Sequence, residues 1–471
     1  MATNSAMTMK SKPQTPSRIL LVSYDFPPAV AGVRRIVKFA RYLPGEGFAP
    51  IVVAADPIPG TKLDRETLEQ VRREGYPVLR TASLDPYHLW AWLRSAPGRI
   101  KSLSPFRRST PAARMLAEEI REKRERDAEN ARQTRRRGPV GRWLRNVARG
   151  LARWFLIPDD RVGWVTFASA ASERILRTQR VRYVVTTSYP NSAHLVGLHL
   201  KRRFKVKWVA DFRDGWTQNP YFGKGPTGLH RAVNRMLEAR VARKADLLIT
   251  VSEPIARHLR ELSGRDNVHV IPNGFDPADL ADLPREHFDK FTLAYTGTLF
   301  MQRSPENFFA AVRGLLDEFH GLAEHFQVVF MTQFKPEHEE AIRHLGLGDV
   351  IVNRGLGTYR EALALQASAD ALLVLEGPAE NSEIMLTQKI FEYLAARKAI
   401  LAVAPPGALA DTLRRSGCGV VVAPDDVFSI KERLNELFHG QLDFRPDDEY
   451  IATFQRQRQT AELTRLLKSL N

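Results

Sequence analysis

Two aspartates and an arginine follow a run of apolar residues in the stretch VADFRDGW, Val209–Trp216. Charged side chains are seldom fully buried unless paired. Asp211, Arg213 and Asp214 therefore admit two readings: a neutralised loop in which Arg213 pairs with one aspartate, or a set lining a cleft at the carboxyl edge of a sheet, where open α/β sheets bind ligands. His194, after SYPNSA at the start of a helical pattern, is either a capping-region histidine or a group that orients a reacting hydroxyl. A second set lies downstream. In YTGTLF, Gly297 lets a ligand approach the backbone closely, Thr298 follows it, and Arg303 is the only cation of the loop. LTQKIFEYLAARKAIL begins a helix near Thr387, whose first N–H groups suit an anion. Lys389 and Glu392 share one face of that helix. An ordinary βα turn and an intrahelical pair are the plain alternatives; in the functional version the N–H groups and Lys389 take a diphosphate and Glu392 takes sugar hydroxyls.

Other chemistries find little support. GLGTYR at Gly355 lacks the third glycine of a dinucleotide fingerprint, and no phosphate-binding G-x-x-x-x-G-K-[ST] run occurs. The histidines are scattered, and the two PDD triplets, at Pro158 and Pro424, read as turns rather than metal ligands. Neither a cofactor nor a metal is expected. One cysteine, Cys418, allows no intrachain disulfide and fits a reducing compartment.

The elements that must position these residues alternate regularly. RILLVS, IVVAA, YPVLR, RYVVTTS, VKWVAD, DLLITVS and NVHVIP read as buried parallel strands, because they are β-branched runs without strict polar alternation. Helical patterns separate most of them. A second series begins at FTLAYTGTL and runs through QVVFMT, VIVNRG, ALLVLEG, AILAVAP and GVVVAP. The fold class is α/β, with two Rossmann-like doubly wound domains facing a central cleft. The expected division is a flexible start (1–16), a first domain (17–285), a second domain (286–446) and a last helix (447–471) that crosses back to the first.

The 44% hydrophobic content is that of a globular protein, whereas the net charge of +17 is unevenly spread. Residues 101–157 hold 16 Lys/Arg against 6 Asp/Glu, and we read about 100–157 as a basic insertion. It has no interleaved aromatics or reading motif of the kind nucleic-acid domains use, so no nucleic-acid partner is expected. In GRWLRNVARGLARWFLI, Trp143, Val147, Leu151 and Trp154 recur at helical spacing, with Arg142, Arg145, Arg149 and Arg153 on another face. Helices that lie in a membrane interface are built this way, as are packed helices with a solvated arginine face. No apolar stretch is long enough to span a bilayer. The expected location is cytoplasmic, with peripheral contact to the inner face of an anionic membrane.

Taken in order, LLVSYDFPPAVAGVRRIVKFARYL, TTSYPNSAHLVGLHLKRRFKVKWVADFRDGWTQNP, ADLLITVSEPIARHL, VIPNGFD, YTGTL and KIFEYLAARKAIL resemble the family-four retaining glycosyltransferases of the GT-B fold. The resemblance covers most of the chain outside the insertion. It implies transfer of a sugar from a nucleotide diphosphosugar to a saccharide or lipid-linked acceptor, with Lys389 and Arg303 at the donor diphosphate, Gly297 and Thr298 in the phosphate-facing loop, and Glu392 on the ribose. It places Phe26, Gly32 and Arg34 on the acceptor side, and Asp211, Arg213 and Asp214 towards the reaction, with Asp214 or His194 orienting the acceptor hydroxyl. Two departures stand out. The residue eight before Glu392 is Ile384 where many members have the first glutamate of E-x7-E; either the neighbouring Glu383 reaches the sugar or that role is absent. The paired glycines of the first loop are reduced to Ala31-Gly32. A nucleotide-sugar isomerase of the same fold and a non-catalytic membrane-binding protein are the competing readings.

Overall fold

The structure, a computed structural model, describes residues 16–30, 32–61, 63–95, 156–219, 227–299 and 303–470. The amphipathic run 141–155 with its arginines and tryptophans lies outside them. Thirteen strands are present among the described residues: β1 Ser17–Val22, β2 Phe48–Ala55, β3 Val78–Thr81, β4 Val181–Thr187, β5 Lys207–Phe212, β6 Leu247–Thr250, β7 Val268–Val270, β8 Phe291–Thr296, β9 Phe326–Met331, β10 Ile351–Asn353, β11 Ala371–Leu375, β12 Ala399–Val403 and β13 Gly419–Val422. They form two sheets, ordered β3-β2-β1-β4-β5-β6-β7 and β10-β9-β8-β11-β12-β13. Every pairing is parallel. Chain order reverses between β1 and β4 in the first sheet and between β8 and β11 in the second, and the loops leaving those strands flank the crevices where such sheets hold ligands.

The continuous apolar character of the strands follows from their surroundings. Each sheet is covered on both faces, the first by clusters around Trp208 and Phe39, the second by clusters around Phe330 and Phe391. Gly197 lets a helix lie tight on the first sheet: a Cβ there would stand 2.2 Å from Trp208 Nε1.

Among the described residues two helices longer than a single turn were not anticipated, Pro86–Ser95 and Val427–Phe438. A local signal for the second was present, because the PDD read as a turn ends in Asp426, whose carboxylate accepts the Ser429 N–H as an N-cap. The terminal helical pattern is divided into Asp448–Ala452 and Arg456–Ser469. The latter buries Leu463, Leu466 and Leu467 in the core of the first domain. The linker that joins β7 to β8 is also tied to the first helix, Arg34–Tyr42, since Asp276 accepts hydrogen bonds from Lys38 Nζ (2.8 Å) and Tyr42 Oη (2.7 Å).

Candidate functional site

The residues expected on the donor side lie close together. Gly297 directly follows β8 with φ +114°, where a side chain is strained, and a Cβ at this position would stand 3.3 Å from Lys389 Nζ, a tight contact. Lys389 lies in the first turn of the helix Gln388–Ala396. It is 8% exposed, and among the described residues its Nζ has no hydrogen-bond partner; the ammonium sits 4.1 Å from the centroid of the Tyr295 ring. Burial, then the charge of Arg303, pushes its pKa down to about 7, while Glu376 and Glu392 oppose the shift. Thr387 occupies the N-cap without capping through its side chain, which leaves first-turn N–H groups open beside the lysine.

Arg303 is not a free cation. Its Nε donates to Glu376 Oε2 at 2.8 Å and Nη2 lies 2.7 Å from Oε1. Glu376 directly follows β11, on the other side of the crevice from Gly297, and was missed in the sequence. The signal that flagged Asp211, a charge ending a buried strand, is present in LLVLEG as well. Next to this pair, an open pocket is lined by Ser304, Asn307, Glu376, Gly377, Val403 and Pro424, all beyond or at strand ends of the second sheet.

Glu392, one helical turn after Lys389, is buried. Burial raises its pKa, opposed by Arg34 and by hydrogen bonds with Gln388 and Gln366. Arg34 comes from the first domain and lies with its Cζ 3.0 Å from the centroid of the Tyr359 ring in the second, so a residue expected on the acceptor side touches the other domain. Thr298 is exposed, and its carbonyl accepts from Tyr295 Oη at 3.2 Å.

The departure at Ile384 has a structural explanation. This residue is 3% exposed and belongs to the hydrophobic core of the first domain; a Cβ on Gly215 would stand 3.0 Å from its Cδ1. Ser252 Oγ donates to its carbonyl at 3.2 Å. An apolar side chain therefore docks the donor loop on the first domain where the family pattern has a carboxylate. Glu383 is exposed beside it.

On the acceptor side the structure divides the expected group. Arg213 and Asp214 lie near one another, with Nε 3.9 Å from Oδ2, and Arg213 Nη2 also donates to the Tyr189 carbonyl at 3.1 Å. The Asp214 side chain keeps 45% exposure, yet the protein surrounding it raises its pKa, with Arg213 opposing. Gly32 brings the first loop onto this arginine: its φ is +71°, and a Cβ there would be 3.1 Å from Arg213 Nη2. Phe26 differs from expectation, because its ring is buried in the first core, edge-on to Tyr76, so it anchors the loop.

Asp211 and His194 also depart from the expected positions. Asp211 is fully buried and its partner is Arg35 rather than Arg213: Nε donates at 3.0 and 3.2 Å and Nη2 at 2.9 Å, and Thr187 Oγ1 donates at 2.8 Å. Its lone pairs are committed to protein groups. His194 is enclosed between β4 and the Phe212 ring, with Nδ1 2.8 Å from Thr186 Oγ1 and the ring centroids 4.5 Å apart. Burial pushes its pKa down to about 3, so it is neutral at physiological pH. An apolar pocket that disfavours the imidazolium, and no exposed surface, keep it out of the cleft.

A profile of Glycosyltransferase Family 4 matches residues 118–279. The fold is shared with sucrose-phosphate synthase from Thermosynechococcus elongatus, at 14% identity over 96% of this chain and 99% of that one, with a TM-score of 0.59. It is likewise shared with the lipopolysaccharide outer core galactosyltransferase WaaB (11% identity, 96% and 99% covered, TM-score 0.54). UDP-GlcNAc 2-epimerase from Neisseria meningitidis bound to UDP-GlcNAc gives 11%, 96% and 100%, and 0.53. No curated protein matches the chain by sequence. The chain therefore resembles the family-four glycosyltransferases and has the two-domain GT-B architecture of glycosyltransferases.

Proposed function

We propose that the protein transfers a hexosyl group, with retention and without metal, from a nucleotide diphosphosugar to a saccharide or lipid-linked acceptor in cell-envelope or exopolysaccharide synthesis. The carrying observation is the buried Lys389 ammonium, left without a hydrogen-bond partner among the described residues beside Gly297 and an open helix N-terminus. Negative charge grows on the leaving diphosphate as its bond to the anomeric carbon breaks, and preorganised cations and N–H groups stabilise it without reorganising. In this reading Glu392 holds the ribose, and Arg303 lies by the diphosphate with its charge paired to Glu376. Retention and the envelope role rest on resemblance to the family.

Calorimetric titration with UDP-, GDP-, ADP- and dTDP-sugars tests this. One of them should bind to the parent chain, and a Lys389→Ala, Glu392→Ala variant should lose it; if none binds, the donor site is absent. The fold shared with an epimerase supports a second reading, nucleotide-sugar isomerisation. Interconversion of the bound sugar with no acceptor present would establish that reading instead.

The proposal includes reversible attachment to an anionic membrane through Arg142, Trp143, Arg145, Arg149, Arg153 and Trp154. Among the described residues no helix is long and apolar enough to cross a bilayer. Each basic residue near an anionic leaflet contributes on the order of 1 kcal/mol. Vesicles containing anionic lipid should co-sediment the protein and release it in high salt. Equal binding to neutral vesicles would remove the electrostatic part of this proposal.

A further inference from the structure

The terminal segment passes from one domain to the other at Arg456. Ile451 and Phe454 lie in the core of the second domain, whereas Leu463, Leu466 and Leu467 lie in that of the first. At the crossing the chain pairs with the linker: the Phe275 N–H donates to the Phe454 carbonyl at 3.0 Å, and the Arg456 N–H to the Phe275 carbonyl at 2.9 Å. Gly274 permits this approach, because a Cβ there would stand 2.0 Å from the Phe454 carbonyl oxygen.

The Arg456 side chain is 1% exposed, and its bonds go to neutral amides. Nη2 donates to Gln388 Oε1 at 3.0 Å and Nη1 to Gln459 Oε1 at 3.2 Å. Each amide passes the contact on to the linker: Gln388 Nε2 donates to the Gly274 carbonyl at 2.8 Å, and Gln459 Nε2 to the Asn273 carbonyl at 3.1 Å. Burial, then the charge of Arg35, pushes the arginine pKa down to about 9, against Tyr359, Asp211 and Glu392. A buried guanidinium without a bonded carboxylate costs stability. What arginine supplies in return is a rigid planar fork that reaches two acceptors on two different elements.

One of those acceptors bears on the donor site. Gln388 is the first residue of the helix Gln388–Ala396 and directly precedes Lys389. The network therefore grips the turn that carries the open N–H groups. Lys389 Nζ has no hydrogen bond of its own among the described residues, so its place is set by the turn that bears it. We propose that Arg456, acting through Gln388, is a positioning residue for the donor diphosphate: it fixes that turn against the linker, so that Lys389 and the N–H groups stand in place before the donor arrives. This rests on the glycosyltransferase reading above. Misplacement by about 1 Å within a site can cost on the order of 10²-fold.

The test uses the full chain and calorimetric titration with UDP, GDP, ADP and dTDP. One of these should bind the parent, and Arg456→Met and Gln388→Leu should each weaken it about tenfold or more. The double variant should bind no more weakly than either single one, because both substitutions break the same connection. Arg456→Met also removes a buried charge, so its unfolding temperature should not fall below that of the parent; Gln388→Leu, at a half-buried position, gives the affinity readout should Arg456→Met not fold. The pH above which binding weakens, near 7 in the parent, should rise in both variants, as the ammonium moves from its desolvated seat among Arg303, Glu376 and Glu392. Parent-like affinity in either folded variant, losses that add in the double variant, or a loss that leaves this pH unchanged overturns the proposal. Failure of all four nucleotides to bind the parent overturns the glycosyltransferase reading itself.

Discussion

Lys389→Met should bind nucleotide diphosphosugar more weakly and yet unfold at a higher temperature than the parent chain at pH 6. An ammonium held out of water without a hydrogen bond disfavours the folded state, and its pKa of about 7 expresses that cost. The sign follows from proton counting. In the unfolded chain a lysine keeps its proton to about 10.4, so between the two values the unfolded state binds more protons and folding stability rises with pH. The cost is therefore full below pH 7, fades as pH climbs towards 10, and is absent in the variant. The difference in Tm between variant and parent should shrink along that path, and differential scanning calorimetry at pH 6, 8 and 9.5 measures it. Donor affinity should move the opposite way, weakening above pH 7 by up to tenfold per unit as the free enzyme loses the cation that receives the diphosphate. Loss of one such group should lower kcat by about 10² to 10³; a loss confined to KM would mean that Lys389 holds only the ground state. If the variant is less stable than the parent at every pH, the lysine is satisfied in the folded protein and the donor-site reading loses its main support.

The contrast between Lys389 and Arg303 shows where the sequence is legible and where it stops. The strand runs, the glycine following β8 and the helix start at Thr387 are local signals, governed by backbone freedom and period, and the structure has them at those positions. Partnership is not local. Arg303 is paired with Glu376, 73 residues away, and Asp211 with Arg35, 176 residues away, so their partners depended on a topology that the residues themselves do not spell out. Even adjacent residues diverge: in VRRIV, a helical step of about 100° sends Arg34 across the cleft to Tyr359 and Arg35 inward to Asp211. The sequence singled out the first arginine and passed over the second. His194 was chosen for its residue type, whereas its role is set by Thr186, Trp208 and Phe212 from two strands.

The Arg35–Asp211 pair yields the second large effect. Arg35→Met removes the three hydrogen bonds that neutralise a fully buried carboxylate and the 2.8 Å bond from Nη1 to the Pro272 carbonyl at the start of the linker. Stranding one charge of a buried pair costs about 3–5 kcal/mol, because Thr187 alone cannot replace water around the carboxylate. The expected result is a shift of that size in the unfolding of the first domain, followed by the fluorescence of its buried Trp164, Trp208 and Trp216 so that a separate transition of the second domain does not obscure it. Removing both charges separates a structural role from a catalytic one. Arg35→Met with Asp211→Leu eliminates the stranded carboxylate, so the double variant should recover most of the lost stability and still bind nucleotide sugar at Lys389. It should also retain transfer activity, because all of the Asp211 contacts described here are made to protein groups. A double variant that folds and binds the donor but transfers nothing would instead place Asp211 in the reaction, by a movement that frees it from Arg35.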